Sequence, residues 1–125
     1  VIAFDSCILI YILEDNPEFA DKAKHVFLDI ERRGGVCSSL VITESLYGSV
    51  HSIGQLGPLL SPTIKIVPLS AKIAERAGQL RIKHGLKTAD SIHIATALEA
   101  GAKSFVTNDK QLLKIKTGLV IKLLT

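Results

Sequence analysis

Tryptophan is missing from this chain, and aromatic residues fill only 5% of its 125 positions. A core must therefore be built from Ile, Leu, Val and Ala. Cysteine is nearly missing as well. Cys7 and Cys37 are the two present, and they have no metal-ligand spacing. They could form one bridge, but a chain of this length can bury a core without it. Two buried thiols in a reducing cytoplasm are the preferred reading. No apolar run reaches membrane-spanning length, since Ile8–Leu13 is stopped by Glu14, Asp15 and Pro17. No leader peptide is visible, and a cytoplasmic location is expected. The chain opens at Val1 without a methionine, which leaves room for a few preceding residues. A strong charge of one sign is also lacking. Fifteen Lys and Arg stand against twelve Asp and Glu, a net +3. That permits a nucleic-acid partner without demanding one.

What is present reads as one globular domain over residues 1–125: 47% hydrophobic and 22% charged. Short β-branched runs alternate with longer amphipathic stretches. Strands are expected at Val1–Phe4, Val36–Ser38, Ile64–Val67, Ser104–Thr107 and Leu119–Leu123. Helices are expected over Asp5–Leu13, over Glu18–Arg33 after Pro17, and over Leu40–Val50. A further helix runs from a Ser70 cap to His84, with Ile73, Ala74, Ala77, Leu80 and Ile82 as its apolar stripe. Thr88 is read as the N-cap of a helix over Ala89–Ala100, and Asp109–Leu113 as a short helix. Gly34-Gly35, Gly85 and Gly101 are helix stops. Gly54, Gly57, Pro58 and Pro62 mark an irregular connection. Five strands separated by helices give an α/β fold, a mostly parallel sheet covered on both faces. Repeats, low-complexity tracts and long linkers are absent from the sequence.

In an open parallel sheet, ligands bind beyond the carboxyl ends of the strands. Asp5 follows the first strand directly, and Glu44 lies early in the helix after the second. Asp109 follows the fourth strand, and Asp90 opens the helix before it. Four acids can thus face one sheet edge. Crowded carboxylates repel, and a divalent cation removes that penalty. Mg²⁺ or Mn²⁺ takes such oxygen ligands and can serve phosphodiester hydrolysis. Each acid also has a plainer reading, as a helix cap, a dipole partner or an exposed helix residue. The four together favour a site.

The segments VIAFDSCILIYIL (1–13), TESLYG (43–48), TADSIHIATAL (88–98) and FVTNDKQL (105–112), in that order, resemble the successive motifs of PIN domains of the VapC-toxin kind. The resemblance runs essentially end to end. It implies a three-layer α/β/α sandwich around a five-stranded sheet of order 3-2-1-4-5. It implies a Mg²⁺- or Mn²⁺-dependent endoribonuclease that cuts single-stranded or looped RNA, with Asp5, Glu44, Asp90 and Asp109 as its catalytic and metal-holding acids. Ser6 and Thr107 would support the site through hydroxyls, and Asn108 would shape its turn. An antitoxin partner and a homodimer are implied too. The stretch from Ser49 to Thr63 is shorter and richer in Gly and Pro than the longer helical pair many relatives carry there, which bears on groove shape and dimer contacts. The opening Asp-Ser replaces the commoner Asp-Thr and keeps the hydroxyl.

Arg81 and Lys87 are candidates for holding RNA phosphates, with Lys83, His84, Lys110 and Lys114 near them. The competing reading is a solvated helix end meeting the C-terminal dipole. Arg81 is placed to point back along its helix toward the groove. His93, three residues after Asp90, could touch metal-bound water but reads first as a packed or hydrogen-bonded helix residue. Tyr11 and Tyr47 read as core or interface, Cys7 as packing, and His25 and His51 as surface. Two other functions compete. One is a PIN-like domain that binds RNA or protein without cutting. The other is a phosphotransferase with Asp5 as nucleophile, for which the second acid expected two residues on is replaced by Cys7.

Overall fold

The computed structural model describes residues 1–46, 56, 57 and 60–124. Five strands form one sheet: β1 (Ile2–Phe4), β2 (Gly35–Ser38), β3 (Ile64–Val67), β4 (Ser104–Thr107) and β5 (Val120–Leu123). Their order is β3-β2-β1-β4-β5, as the resemblance implies. Every neighbouring pair is parallel, so the sheet is parallel throughout. Ala3 is flanked by Val36 and Phe105 in the register, and Cys37 by Ile66.

Successive strand residues point to opposite faces, and two separate cores follow. Ala3, Val36 and Phe105 pack beneath α4 (Ala71–His84) and α5 (Thr88–Glu99), against Ile73, Ala77, Leu80, Ile94 and Ala95. Phe4, Cys37 and Val106 pack on the other side against α1 (Cys7–Leu13), α2 (Ala20–Arg33) and α3 (Leu40–Ser45), through Ile8, Leu9, Phe27, Ile30 and Val41. This is the expected three-layer sandwich. Aromatics are few but central: Phe4 and Phe27 meet edge-on at 5.7 Å.

Several element bounds differ from the sequence expectation, each for a local reason. Asn16 Oδ1 accepts from the N–H groups of Glu18 and Phe19, both at 2.9 Å. That side-chain turn delays α2 to Ala20. Thr88 is not the cap of α5 but its first residue. The extended Lys87 stands at the cap without a side-chain bond, and the Thr88 carbonyl accepts from Ser91 Oγ at 2.6 Å. The segment after Asp109 is a 3₁₀ helix, Lys110–Lys114. α3 ends at Ser45 with Leu46 as its cap. The rest of the helix expected to Val50, with Tyr47 and His51, lies outside the described residues, as does most of the 49–63 connection. Ile82, counted with the α4 stripe, is 89% exposed. Ser70 caps α4 as expected, accepting from Ile73 N–H at 3.2 Å, and Gly85 ends it with φ +67°.

The Gly34-Gly35 pair has two jobs. Gly34, at φ +88°, stops α2. Gly35 is needed for space: a Cβ there would lie 2.6 Å from both Ile30 Cγ2 and Ile64 Cδ1. Both cysteines are free thiols. Burial pushes Cys37 up to about 12, so it is a packing group.

Candidate active site

The strand order reverses between β1 and β4, and a crevice opens there beyond their carboxyl ends. Asp5 leaves β1 on one side of that crevice, and Thr107, Asn108 and Asp109 leave β4 on the other. The two exits are stitched together by one hydroxyl. Thr107 Oγ1 donates to Asp5 Oδ2 at 2.6 Å and accepts from the Asp109 backbone N–H at 3.1 Å. Thr107 has no exposed surface, and Asp5 is 8% exposed. The other Asp5 oxygen, Oδ1, accepts from Cys7 N–H at 3.0 Å. Asp5 thus holds the first turn of α1 and still presents a buried carboxylate at the crevice.

The Cys7 thiol lies beside that carboxylate. Burial raises its pKa far above the ordinary thiol range, and the charge of Asp5 adds to the effect. It is no nucleophile.

Glu44 reaches the crevice from α3. Its Oε1 is 2.6 Å from His93 Nε2, and the Ser6 hydroxyl also bonds its carboxylate. The His93 bond holds the Glu44 carboxyl below the usual glutamate range, against the opposing effect of burial. His93 is buried, and its Nδ1 has no partner among the described residues. With Glu44 as a carboxylate, Nε2 carries the proton of this bond and donates to Oε1.

Asp90 stands in the first turn of α5, half-buried. Burial raises its pKa, and the charges of Asp109 and Asp5 raise it further. A residue serving only as a helix-dipole partner would be favoured in its charged form. Asp90 is instead pushed toward its protonated form, first by burial and then by the charges of the acids leaving β4 and β1. Asp109 keeps the cap role as well, since its Oδ1 accepts from Gln111 N–H at 2.9 Å.

Asp90 and Asp109 line a cleft of about 250 Å³ together with Lys87, Lys114 and His84. Among the described residues, no three His, Cys, Asp or Glu side chains close into a ready-made cation cage. The donors on offer are carboxylate oxygens, a set that suits a hard divalent cation, and one carboxyl is destabilised as an anion by burial and by its neighbours.

A family model described as PIN domain matches residues 2–117. The chain belongs to the PIN-domain family. Among solved structures it is similar to a toxin–antitoxin complex from Klebsiella pneumoniae, at 27% identity and TM-score 0.75, covering 96% of each chain. It is also similar to VapBC2 from Rickettsia felis bound to a promoter DNA fragment, at 22% identity and TM-score 0.77, over 98% of this chain and 97% of that one. Mycobacterium tuberculosis VapC20, a toxin that cleaves the sarcin–ricin loop, matches at 14% identity and TM-score 0.76, over 96% and 99%. The last two are likenesses of fold. No curated protein sequence matches the chain.

In this PIN domain the expected site residues fall as follows. Asp90 feels the charges of Asp109 and Asp5, and Glu44 is held by Ser6 and His93. Thr107 bridges two acids. Asn108 Nδ2 donates to Tyr11 Oη at 3.0 Å, tying the β4 exit to α1, while the Tyr11 ring packs on Phe19 at 4.9 Å. Lys87 lines the cleft and lowers the Asp90 pKa by its charge. Arg81 is not in that lining. Its Nε donates to the Leu86 carbonyl at 3.2 Å, bracing the loop that leads to Lys87. Sequence reading offered His93 contact with metal-bound water only behind a packed or hydrogen-bonded role, and left Tyr11 to core or interface. The one available signal for His93 was its position one helical turn after Asp90.

Among the described residues no helix is long and apolar enough to cross a membrane.

Proposed function

We propose that this PIN domain is a metal-dependent endoribonuclease and the toxin of a toxin–antitoxin pair. The observation that carries the reading is the Thr107 hydroxyl joining the Asp5 carboxylate to the Asp109 backbone, with the charges of Asp109 and Asp5 bearing on Asp90. A binding-only domain has no need of mutually repelling carboxylates at a sheet edge. The likeness to a toxin–antitoxin complex at 27% identity supports the class, and the cleavage of the sarcin–ricin loop by one fold neighbour supports RNA as the substrate.

In this reading Asp5, Asp90, Asp109 and Glu44 would hold Mg²⁺ or Mn²⁺, which when bound would supply charge neutralisation and Lewis-acid polarisation of the phosphodiester. The protein's own groups do the rest. Thr107 and the Cys7 N–H fix both oxygens of Asp5. His93 and Ser6 fix Glu44. Asp90, disfavoured as an anion by burial and by its neighbours, would gain most from the cation's charge. Lys87 draws the phosphate in, and Arg81 holds Lys87's loop. The reading carries with it action in the cytoplasm by one domain over residues 1–125, an antitoxin partner and a homodimer.

The test is direct. Purified protein is expected to cleave single-stranded or looped RNA with Mg²⁺ or Mn²⁺, to stop with EDTA, and to lose cleavage on Asp5→Asn. RNA retained in a gel but left intact across several metals and substrates would establish the binding-only alternative instead.

A further inference from the structure

Beyond the acids, a second cleft continues the first. It encloses about 230 Å³, and its lining includes Arg76, Gln79, Lys83, His84, Lys116 and Thr117. His84 stands in the wall of both clefts. Lys114 and Ile115 of the first run on in sequence to Lys116 and Thr117 of the second. The two clefts therefore form one seam between the C-terminal half of α4 and the chain from Gln111 to Thr117.

The seam is polar along its length in charge. Asp90 and Asp109 hold one end, and the lining of the other end has no carboxylate. Arg76 there is already taken by Glu99 at 2.7 Å. Lys83, Lys114 and Lys116 are exposed and in no ion pair among the described residues. Lysines set along a groove outside any ion pair among the described residues suit a polyanion, which gains affinity by releasing its condensed cations. A small anion would need only one of them.

Building on the ribonuclease reading, we infer that this seam holds the phosphodiester backbone of the RNA to one side of the cleaved bond. Lys114 takes the phosphate nearest the acids, and Lys83 and Lys116 take the next. The seam thus sets a preference for single strands that extend past the cut on that side.

The experiment compares Lys83→Glu/Lys116→Glu with wild type and with Lys65→Glu/Lys103→Glu, an equal charge change away from the strand exits. Substrates are a long single-stranded oligoribonucleotide and a short one spanning only the cleaved bond. On the long substrate the seam variant is expected to raise KM about tenfold with kcat unchanged, and to reduce the slope of log affinity against log salt by about 1.4, two contacts on a single strand. The short substrate should be indifferent. Lys83→Gln/Lys116→Gln repeats the comparison if charge reversal harms folding. Equal losses on both substrates, or a seam variant no different from the control pair, would overturn the inference while leaving the ribonuclease reading intact. So would a seam variant that loses an acidic protein partner and keeps its grip on long RNA. A wild type that cleaves no RNA sinks the ribonuclease reading itself.

Discussion

His93 Nε2 lies 2.6 Å from Glu44 Oε1, across 49 residues of sequence. The pair joins α5 to α3 over the carboxyl edge of the sheet, one helical turn from Asp90. Each partner depends on the other differently. Glu44 keeps the Ser6 hydroxyl if His93 is lost, whereas His93 has Glu44 alone among the described residues.

Glu44→Ala is therefore expected to cost stability as well as activity. It leaves a buried ring N–H without an acceptor, worth about 1–3 kcal/mol. Glu44→Gln keeps an amide oxygen for that N–H and should recover most of the stability without the charge. Urea unfolding midpoints of the two variants decide it. If they coincide, the bond does not support the fold.

Thr107→Val removes the hydroxyl between Asp5 and Asp109 while keeping the shape. Asp5 Oδ2 then loses its bonded donor in a buried site, at a cost of about 1–3 kcal/mol. Because the same hydroxyl orders the Asp109 backbone, both acids lose their setting, and cleavage should fall by at least about tenfold. Thr107→Ser keeps the bridge and should restore both readouts. A Val variant as active as wild type would mean the bridge positions nothing.

Gly35 separates packing from chemistry, because it begins β2 at the end of the sheet remote from the acids. Gly35→Ala drives a methyl against Ile30 and Ile64. Ile64 can swing its terminal methyl away, but the branched Ile30 is stiff at χ1. A loss of about 1–3 kcal/mol is expected from overpacking, with kcat unchanged below the melting temperature. Thermal melts alongside cleavage rates test both halves.

These contacts mark how far the sequence could be read. Strand positions were legible because buried parallel strands are short, apolar runs bounded by helix signals, and Val-Ile-Ala-Phe before an acid is such a run. The acids at strand exits followed from that. Thr88 was misplaced because a hydroxyl residue near a helix start favours the cap locally, yet here the Ser91 hydroxyl bonds its carbonyl one turn back. Gly35 read as part of a stop signal, since a close approach between two isoleucines from α2 and β3 has no local signature. Glu44–His93 and Thr107–Asp5 are tertiary, and periodicity within either segment says nothing of them. The order of the strands came from the motif resemblance, since alternation alone fits several parallel arrangements.

Asp90 and Glu44 should bend the metal-free pH–stability curve in opposite senses. Asp90's folded pKa lies above its ordinary 3.8, so the native state holds a proton the unfolded chain has released. Its contribution is fully present below that value and is lost as pH rises through the folded pKa. Glu44's folded pKa lies below its ordinary 4.5. Its contribution is present above that value and is lost as pH falls through the folded pKa. Asp90→Asn removes the first effect and relieves the repulsion from Asp5 and Asp109, so this variant should melt higher than wild type at neutral pH in EDTA. In wild type, Mg²⁺ or Mn²⁺ should raise the melting temperature more at neutral pH than near pH 4, where protons already relieve the acids. Asp90→Asn should shrink that metal-induced rise. A variant that melts lower than wild type in EDTA would show that Asp90 is stabilised by its surroundings, and the crowding of the three aspartates would no longer describe the site.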